Sequence, residues 1–317
     1  MTVTSNFGVG KRESHDASKF YSRRLYSSPK SLQLRDTINQ IPQEYLDRIF
    51  VHSSELMSEL PDSSVALMVT SPPYNVGKEY DSDLSLEEYL RLLRRVLFET
   101  FRVLIPGGRA AINVANLGRR PYIPLNSYIH TLAQSIGFLM RGEIIWVKGK
   151  GASGSCAWGS WMSASNPILR DLHEYILVFS KGRFDRPEKG RSTITKDEFI
   201  SATTSVWYIP PESAKRIGHP APFPVALVEK LIHLYTFEED VILDPFMGSG
   251  TTAVAAIKTR RRFVGYETKK EYVDIAIRRI REARTNLPEQ VSCDMFPEEA
   301  TSTRDNDSHP QRHTIYN

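Results

Sequence analysis

The sequence predicts an α/β protein, a mostly parallel sheet covered by helices on both faces. Three observations predict it. Short apolar runs suited to strands alternate with helical stripes along most of the chain; the run Val65–Thr70 (VALMVT) is apolar enough to be buried on both faces; and a helix separates the two strand-like runs Val241–Leu243 and Phe263–Tyr266. Composition agrees with a globular protein of this size. The 317 residues are 40% hydrophobic and 25% charged, and the length suffices for one large α/β domain with insertions or for two small domains.

In chain order, Ile49–His52 is a first short strand and Val65–Thr70 a second. Ser85 then opens a helix, because Glu88 stands three residues on as its capping-box partner. Leu86, Leu90, Leu93, Val96, Leu97 and Phe101 form that helix's apolar stripe, which Pro106-Gly107-Gly108 terminates. Arg109–Val114 returns as a strand. A helix over Leu125–Ile136 runs to Gly137, and the strands Glu143–Val147 and Tyr175–Ser180 follow. A loop-rich stretch reaches Gly218. Beyond it come a helix (Val225–Tyr235), a strand (Val241–Leu243), a helix (Thr251–Thr259), a strand (Phe263–Tyr266) and a last helix (Lys269–Arg284). Residues 1–40 read as a polar, basic-leaning arm, 41–285 as the folded domain and 286–317 as a flexible tail.

Several function classes are excluded early. No apolar stretch approaches the roughly 18 residues that cross a bilayer, and the N-terminus lacks a signal peptide's apolar core. Cys156 and Cys293 match no zinc pattern, and the ligand-like pair His309 and His313 lies in the polar tail. These features point to a reducing, cytoplasmic setting with no membrane and no metal. The formal net charge of +4 permits a nucleic-acid partner without demanding one.

The segment from Val241 to Thr251 bears on a cofactor. A buried strand ends in Asp244, then Phe246-Met-Gly248-Ser249-Gly250 makes a tight turn, and a helix begins at Thr251. Open α/β sheets bind ligands at such carboxyl ends, and glycines let the backbone approach them closely. The segment lacks the third glycine of a dinucleotide fingerprint and the Gly-Lys-Ser/Thr of a phosphate loop. An acid at the strand end repels a pyrophosphate but suits an ammonium group, and Glu267, ending the strand FVGYE, is placed to accept hydrogen bonds from ribose hydroxyls. A ligand with both a ribose and an ammonium group is S-adenosyl-L-methionine.

Val65–Thr70 feeds straight into Ser71-Pro72-Pro73-Tyr74. Two prolines fix an extended turn and leave rigid, free carbonyl acceptors; Ser71 adds a side-chain oxygen and Tyr74 a flat aromatic face. Methylation of a base amino group needs such parts. That nitrogen's lone pair is delocalised into the ring, and acceptors for its hydrogens favour a pyramidal nitrogen whose lone pair is free to attack. The Pro72 carbonyl and Ser71 supply the acceptors while Tyr74 stacks on the base, so the acceleration comes from positioning and electrostatics.

These residues resemble the amino-methyltransferases of bacterial restriction-modification systems. That family has a (Ser/Asp/Asn)-Pro-Pro-(Tyr/Phe) motif for the target, here Ser71–Tyr74, and a Phe-x-Gly-x-Gly motif for S-adenosylmethionine, here Phe246–Gly250. The catalytic motif comes first, which resembles the circularly permuted β class, and HPAPFPVALVEKLI (His219–Ile232) and HEYILVFSK (His173–Lys181) are similar to segments of that class. The resemblance implies a Rossmann-like sheet of seven strands, one antiparallel, with a target-recognition insertion around 181–218. Its basic residues Arg183, Arg186, Lys189, Arg191, Lys215 and Arg216 are candidate phosphate contacts. Trp158 and Trp161 are candidate base-stacking residues, with burial in a core as the alternative. Ser53 stands where many relatives carry an acid that contacts the cofactor's adenine.

The implied activity is methyl transfer to an exocyclic amino group of a flipped base in double-stranded DNA. Ser before Pro-Pro favours cytosine N4, with adenine N6 the alternative. A cognate restriction endonuclease and a monomeric or homodimeric state accompany the resemblance. The rival functions are an RNA or protein-glutamine methyltransferase, because an Asn-Pro-Pro-Tyr motif serves amide methylation elsewhere, and a catalytically silent DNA-binding module.

Overall fold

The computed structural model describes residues 22–26, 37–74, 83–118, 120–149, 159–212, 217 and 223–286. Residues 1–21 and 27–36 of the N-terminal arm, the segment 75–82, Trp158, Lys215, Arg216, both cysteines, and the tail from Leu287 lie outside them. The folded domain is closed at its start by Asn39, whose backbone N–H donates to the Ser63 carbonyl at 2.9 Å and whose side-chain amide donates to Asp62 at 2.6 Å.

Eight strands form one sheet in the order β1-β8-β7-β2-β3-β5-β4-β6. They are β1 (Arg48–Phe50), β2 (Val65–Thr70), β3 (Leu104–Val114), β4 (Phe138–Val147), β5 (His173–Lys181), β6 (Val206–Tyr208), β7 (Val241–Asp244) and β8 (Arg262–Tyr266). Only β5 among them runs antiparallel, to both β3 and β4; every other pairing is parallel. The sheet therefore has the one reversed strand the resemblance implies. Its eighth strand is β6, three residues paired with the end of β4. The four residues between Thr203-Thr204-Ser205 and Pro210-Pro211 are too few for a period-two pattern to appear in sequence.

Among the described residues the α-helices are α1 (Leu86–Val103), α2 (Leu125–Ile136), α3 (Lys196–Ala202), α4 (Val225–Tyr235), α5 (Thr251–Lys258) and α6 (Lys270–Thr285). Ser85 caps α1 with the reciprocal capping box, its side chain accepting from Glu88 N–H and Glu88 accepting from Ser85 N–H. Two cores result, one on each face of the sheet. Ala110, Ile112 and Val114 of β3 point into a core with α1 and α2, whereas Ala111 points into a core with α4, α5 and α6. This is the alternation a strand buried on both faces requires.

The start of β3 differs from the sequence expectation. The Pro-Gly-Gly does not lie between helix and strand but inside β3, as a bulge, so Val65 pairs with Leu104 and Leu67 with Arg109. Gly107 makes it possible: its φ is +76°, and a Cβ there would lie 2.0 Å from the Asp185 carbonyl oxygen.

Because β5 is reversed, the chain leaves it at the end of the sheet where the parallel strands begin. Lys181 marks that end. Its ammonium, 5% exposed as a residue, donates to the carbonyls of Leu104 (2.6 Å) and Arg102 (3.0 Å) and to Ser63 Oγ (3.2 Å), where α1 stops. The arginines that follow stay at this end. Arg183 pairs with Asp185, Arg186 with Asp240 just before β7, and Arg191 with Glu238. They are thus remote from the carboxyl ends of the parallel strands. The insertion returns through α3 and β6, which runs parallel to β4 and ends at the carboxyl side with Tyr208.

Candidate active site

The carboxyl ends of β1, β2, β3, β4, β7 and β8 and the start of β5 surround one open cavity of about 980 Å³. Its wall includes Ser53, Ser71, Pro72, Pro73, Tyr74, Phe246, Gly248, Ser249, Thr251 and Glu267. The two motifs, separated by more than 170 residues of chain, meet because β2 and β7 are hydrogen-bonded neighbours. Asp244 and Gly250 are the expected site residues that do not line it.

Asp244 departs from its expected role. It is fully buried, and both carboxylate oxygens are occupied within the protein: Oδ1 accepts from Thr70 Oγ1 (2.7 Å) and Phe246 N–H (3.0 Å), and Oδ2 from Thr252 Oγ1 (2.6 Å). Burial pushes its pKa up to about 6, against the three bonds that favour the anion. It fastens the turn after β7 and the start of α5 to the end of β2, and it does not line the cavity. Gly250 is also structural. It begins α5 at φ +82°, and a Cβ there would sit 2.8 Å from the Ala276 Cβ, so glycine alone permits α5 and α6 to pack this closely.

Glu267 sits on the wall with its carboxylate held by backbone: Oε2 accepts from Gly248 N–H and Oε1 from Lys269 N–H, each at 2.9 Å. Each oxygen retains a further lone pair. Ser249 and Thr251 are fixed from outside by Arg279 of α6, which donates to Ser249 Oγ at 3.0 Å and Thr251 Oγ1 at 3.2 Å. The Ser53 hydroxyl bonds with its neighbour Glu55, at 3.3 Å, while its carbonyl lies 3.0 Å from His52 Nδ1. Beside it is a cluster the sequence reading missed. His52 Nε2 lies 3.0 Å from Glu59 Oε1, and Tyr266 donates to Glu59 Oε2 at 3.0 Å. Burial works to raise the Glu59 carboxyl, but its backbone bond, His52 and Tyr266 outweigh this and hold it below the ordinary range.

At the catalytic strand, Ser71 and Tyr74 join a polar network with Asn113 (β3), Lys148 (after β4) and Glu174 (β5). Ser71 Oγ lies 3.1 Å from the Tyr74 hydroxyl, which donates to Glu174 Oε2 at 3.2 Å. The Asn113 amide N–H donates to the same Glu174 oxygen at 2.6 Å and to Tyr74 at 3.2 Å, and the Lys148 ammonium donates to Glu174 Oε1. Burial, then the Glu174 charge, raises the Tyr74 phenol well above its ordinary value, so it remains a neutral donor. Tyr74 is half-buried, lines the cavity and packs against the core on the α1 and α2 face, with its hydroxyl bound to Glu174. Sequence reasoning named Ser71 and Tyr74 but not Asn113, Lys148 or Glu174. The available signal was position: each stands where a central strand meets the carboxyl end of the sheet, and Glu174 is an acid in an otherwise apolar run.

These features fit S-adenosylmethionine in part by a different division of labour. Glu267 offers a pre-oriented acceptor pair for ribose hydroxyls, and Pro245, Phe246 and Met247 give an apolar wall for a flat base. Gly248, at φ +50°, keeps that wall free of a Cβ. Among the described residues no cluster of His, Cys, Asp or Glu is arranged to hold a metal, and no helix is long and apolar enough to cross a membrane.

Fold and site together define the class, the S-adenosylmethionine-dependent methyltransferases. TTHA0409 from Thermus thermophilus, solved in complex with S-adenosyl-L-methionine, superposes with a TM-score of 0.62 at 30% identity, covering 75% of this chain and 96% of that one. The PvuII DNA methyltransferase, described as cytosine-N4-specific, superposes with a TM-score of 0.60 over 77% of this chain and 87% of its own; at 21% identity it attests to the fold alone. In sequence, the Type II methyltransferase M.ScaI of Streptomyces caespitosus is 30% identical over 281 residues, spanning 83% of this chain and 91% of the relative. M.BglII of Bacillus subtilis is 29% identical over 75% of this chain and 70% of its own length. The DNA methylase family of N6 and N4 methyltransferases matches residues 65–278, and the chain belongs to that family. Its cofactor is S-adenosyl-L-methionine.

Proposed function

We propose that the protein methylates the N4 amino group of a cytosine flipped out of duplex DNA, as the modification enzyme of a restriction-modification system. The observation that carries this reading is the single cavity shared by Ser71–Tyr74 and the Phe246–Glu267 wall, which puts an amino-group site and a cofactor site within one ligand's reach. When bound, the cofactor supplies an electrophilic methyl group on a sulfonium. The protein's part is to orient the nucleophile. Ser71 Oγ and the Pro72 carbonyl accept the amino hydrogens, and the ring of the half-buried Tyr74 takes the base face while its hydroxyl is anchored to Glu174. Glu267 and the backbone around Gly248 hold the cofactor end. Ser53 has its hydroxyl engaged only with Glu55 and stays available to an adenine ring.

Cytosine over adenine rests on Ser71, the residue before Pro-Pro that the resemblance associates with cytosine N4. Double-stranded DNA is the partner, reached through the carboxyl end of the sheet. There the β4–β5 connection exposes Trp161 (65%) and Met162 (89%), and β6 delivers Tyr208 (76%). The test is to incubate duplex DNA with labelled cofactor, digest it to nucleosides and identify the product by mass spectrometry. N4-methylcytosine is expected. N6-methyladenine would overturn the base assignment, and label in RNA or protein but not in DNA would overturn the substrate class.

A further inference from the structure

Amino methylation leaves a proton to be disposed of. A neutral amino nitrogen that gains a methyl group becomes the acidic cation R–NH2–CH3⁺, and the uncharged product forms only when one N–H proton departs. Glu174 is the carboxylate connected to Ser71 and Tyr74. From Ser71 Oγ the path runs 3.1 Å to the Tyr74 hydroxyl and 3.2 Å to Glu174 Oε2. Both intermediate groups are hydroxyls, which donate and accept at once, so each regains a proton as it gives one up. Pinning Tyr74 would not by itself require the far end to communicate with solvent. Yet Lys148, on the other Glu174 oxygen, lines the cavity with its side chain 33% exposed. Glu174 itself is 7% exposed, so its negative charge needs the Lys148 ammonium and the Asn113 amide to persist there.

We propose that Glu174 is the terminal acceptor of the proton released by the methylated amino group, reached through Ser71 and Tyr74. The proposal rests on the reading of Ser71–Tyr74 as the target-amino site. In balance, one N–H bond of the cation breaks, and the nitrogen keeps the electron pair while Ser71 Oγ takes the proton. The proton formerly on Ser71 passes to the Tyr74 hydroxyl oxygen, and the phenolic proton passes to Glu174 Oε2. Both hydroxyls are restored, the product amine is neutral and Glu174 is a neutral acid. It returns its proton to water at the cavity wall before the next turnover. Tyr74 therefore has two separable parts, a ring that stacks and a hydroxyl that conducts.

The experiment compares Glu174→Gln, Glu174→Ala, Tyr74→Phe and the double variant Tyr74→Phe/Glu174→Gln in single-turnover methylation of a duplex. Cofactor affinity is read by calorimetry and base flipping by 2-aminopurine fluorescence. Each single variant should slow methylation on the order of 100-fold, within the range of a lost proton-transfer group, with cofactor affinity and flipping unchanged. The double variant should be no slower than the slower single, because both remove links of one series path. Acetate should restore at least tenfold to Glu174→Ala relative to chloride at equal ionic strength. Wild-type rates in Glu174→Gln, or multiplicative losses in the double variant, would overturn the relay. Should Glu174→Ala fail to fold, the double-variant comparison decides alone. Tyr74→Ala separates the two levels: if it also methylates at the wild-type rate, the amino-site reading itself fails, whereas a large loss there with silent Glu174 variants sinks only the relay.

Discussion

Thr70 Oγ1 donates a 2.7 Å hydrogen bond to Asp244 Oδ1, joining two residues 174 positions apart at the ends of neighbouring strands. Thr70 immediately precedes the Ser-Pro-Pro-Tyr turn and Asp244 immediately precedes the cofactor turn. This bond, together with the β2–β7 pairing, ties the starts of the two turns to one another. Thr252 Oγ1 and Phe246 N–H complete the set around the carboxylate, so the start of α5 is held to the same point. A burial this complete has a consequence for pH.

The Asp244 carboxyl titrates at about 6 in the folded protein, above the ordinary carboxylate value, because burial disfavours the anion. Between about pH 4 and pH 6 the folded state binds more protons at this group than the unfolded chain does. Its contribution to stability is thus greatest below that window and is lost as pH rises through it. Asp244→Asn removes the charge while its amide can still accept from Thr70 and Phe246, with the Thr252 hydroxyl turned to accept. In urea unfolding, Asp244→Asn should gain on the wild type by roughly 2–3 kcal/mol between pH 4 and pH 6.5. A wild type that gains on the variant over the same interval would contradict the assignment.

Glu267 is the better test of the cofactor wall. Its two oxygens are pre-oriented by Gly248 and Lys269 N–H groups, so a diol binds without reorganising the carboxylate. Glu267→Gln keeps the shape but loses the charge and one acceptor. Hydrogen bonds to a charged group contribute about 1.5–3 kcal/mol, which corresponds to a cofactor Kd raised roughly 10- to 150-fold in calorimetry. An unchanged Kd would remove Glu267 from the ligand's contacts.

Tyr74→Ala deletes both the ring and the hydroxyl. Base–aromatic stacking is worth about 1–3 kcal/mol, so methylation should fall roughly 5- to 150-fold from the loss of the ring alone, with cofactor Kd nearly unchanged. Quench-flow methylation and calorimetry on the same preparation measure the two quantities. Equal losses in both would mean that the variant has damaged the whole cavity rather than the base's seat.

Much of this architecture was legible in the chain. β2, α2 and α4 have the predicted bounds Val65–Thr70, Leu125–Ile136 and Val225–Tyr235, because each carries a complete local signal: an unbroken apolar run, a C-terminal glycine at φ +117°, or a proline-bounded amphipathic stripe. The motif residues were legible because Pro-Pro and Gly-x-Gly restrict backbone geometry. The network behind them was not. Asn113 of β3, Lys148 just after β4 and Glu174 of β5 mean nothing until the order β3-β5-β4 juxtaposes these ends. The same tertiary fact changed Asp244, whose acidity in sequence suggested a ligand and whose neighbours Thr70 and Thr252 consume it. Polar satisfaction in a buried site is a property of pairing, and pairing is what local patterns do not encode.

The far end of β5 offers a stability test free of the site. Lys181→Met keeps an unbranched apolar side chain but removes the ammonium from the Leu104 and Arg102 carbonyls and from the Phe101 ring. The loss should be about 2–3 kcal/mol in chemical unfolding, with cofactor Kd and methylation per folded molecule unchanged. Reduced cofactor binding at full occupancy of the folded state would show that this end of the sheet communicates with the cavity.

The direction of β5 also sets which end of the sheet carries Arg191. Arg191 has a side chain 74% exposed and pairs with Glu238, at the end of the sheet where the parallel strands start. In sequence it belongs with the basic residues of a target-recognition insertion; in the fold it faces away from the cavity's end. Each phosphate contact to duplex DNA contributes about 0.9 to the slope of log affinity against log salt. Arg191→Gln should therefore leave both the DNA affinity at a fixed salt concentration and that slope unchanged, as measured by fluorescence anisotropy from low to physiological salt. A slope shallower by about one unit would mean that the duplex wraps past the edge of the sheet and reaches the opposite end, and the docking direction argued from the cavity would have to be abandoned.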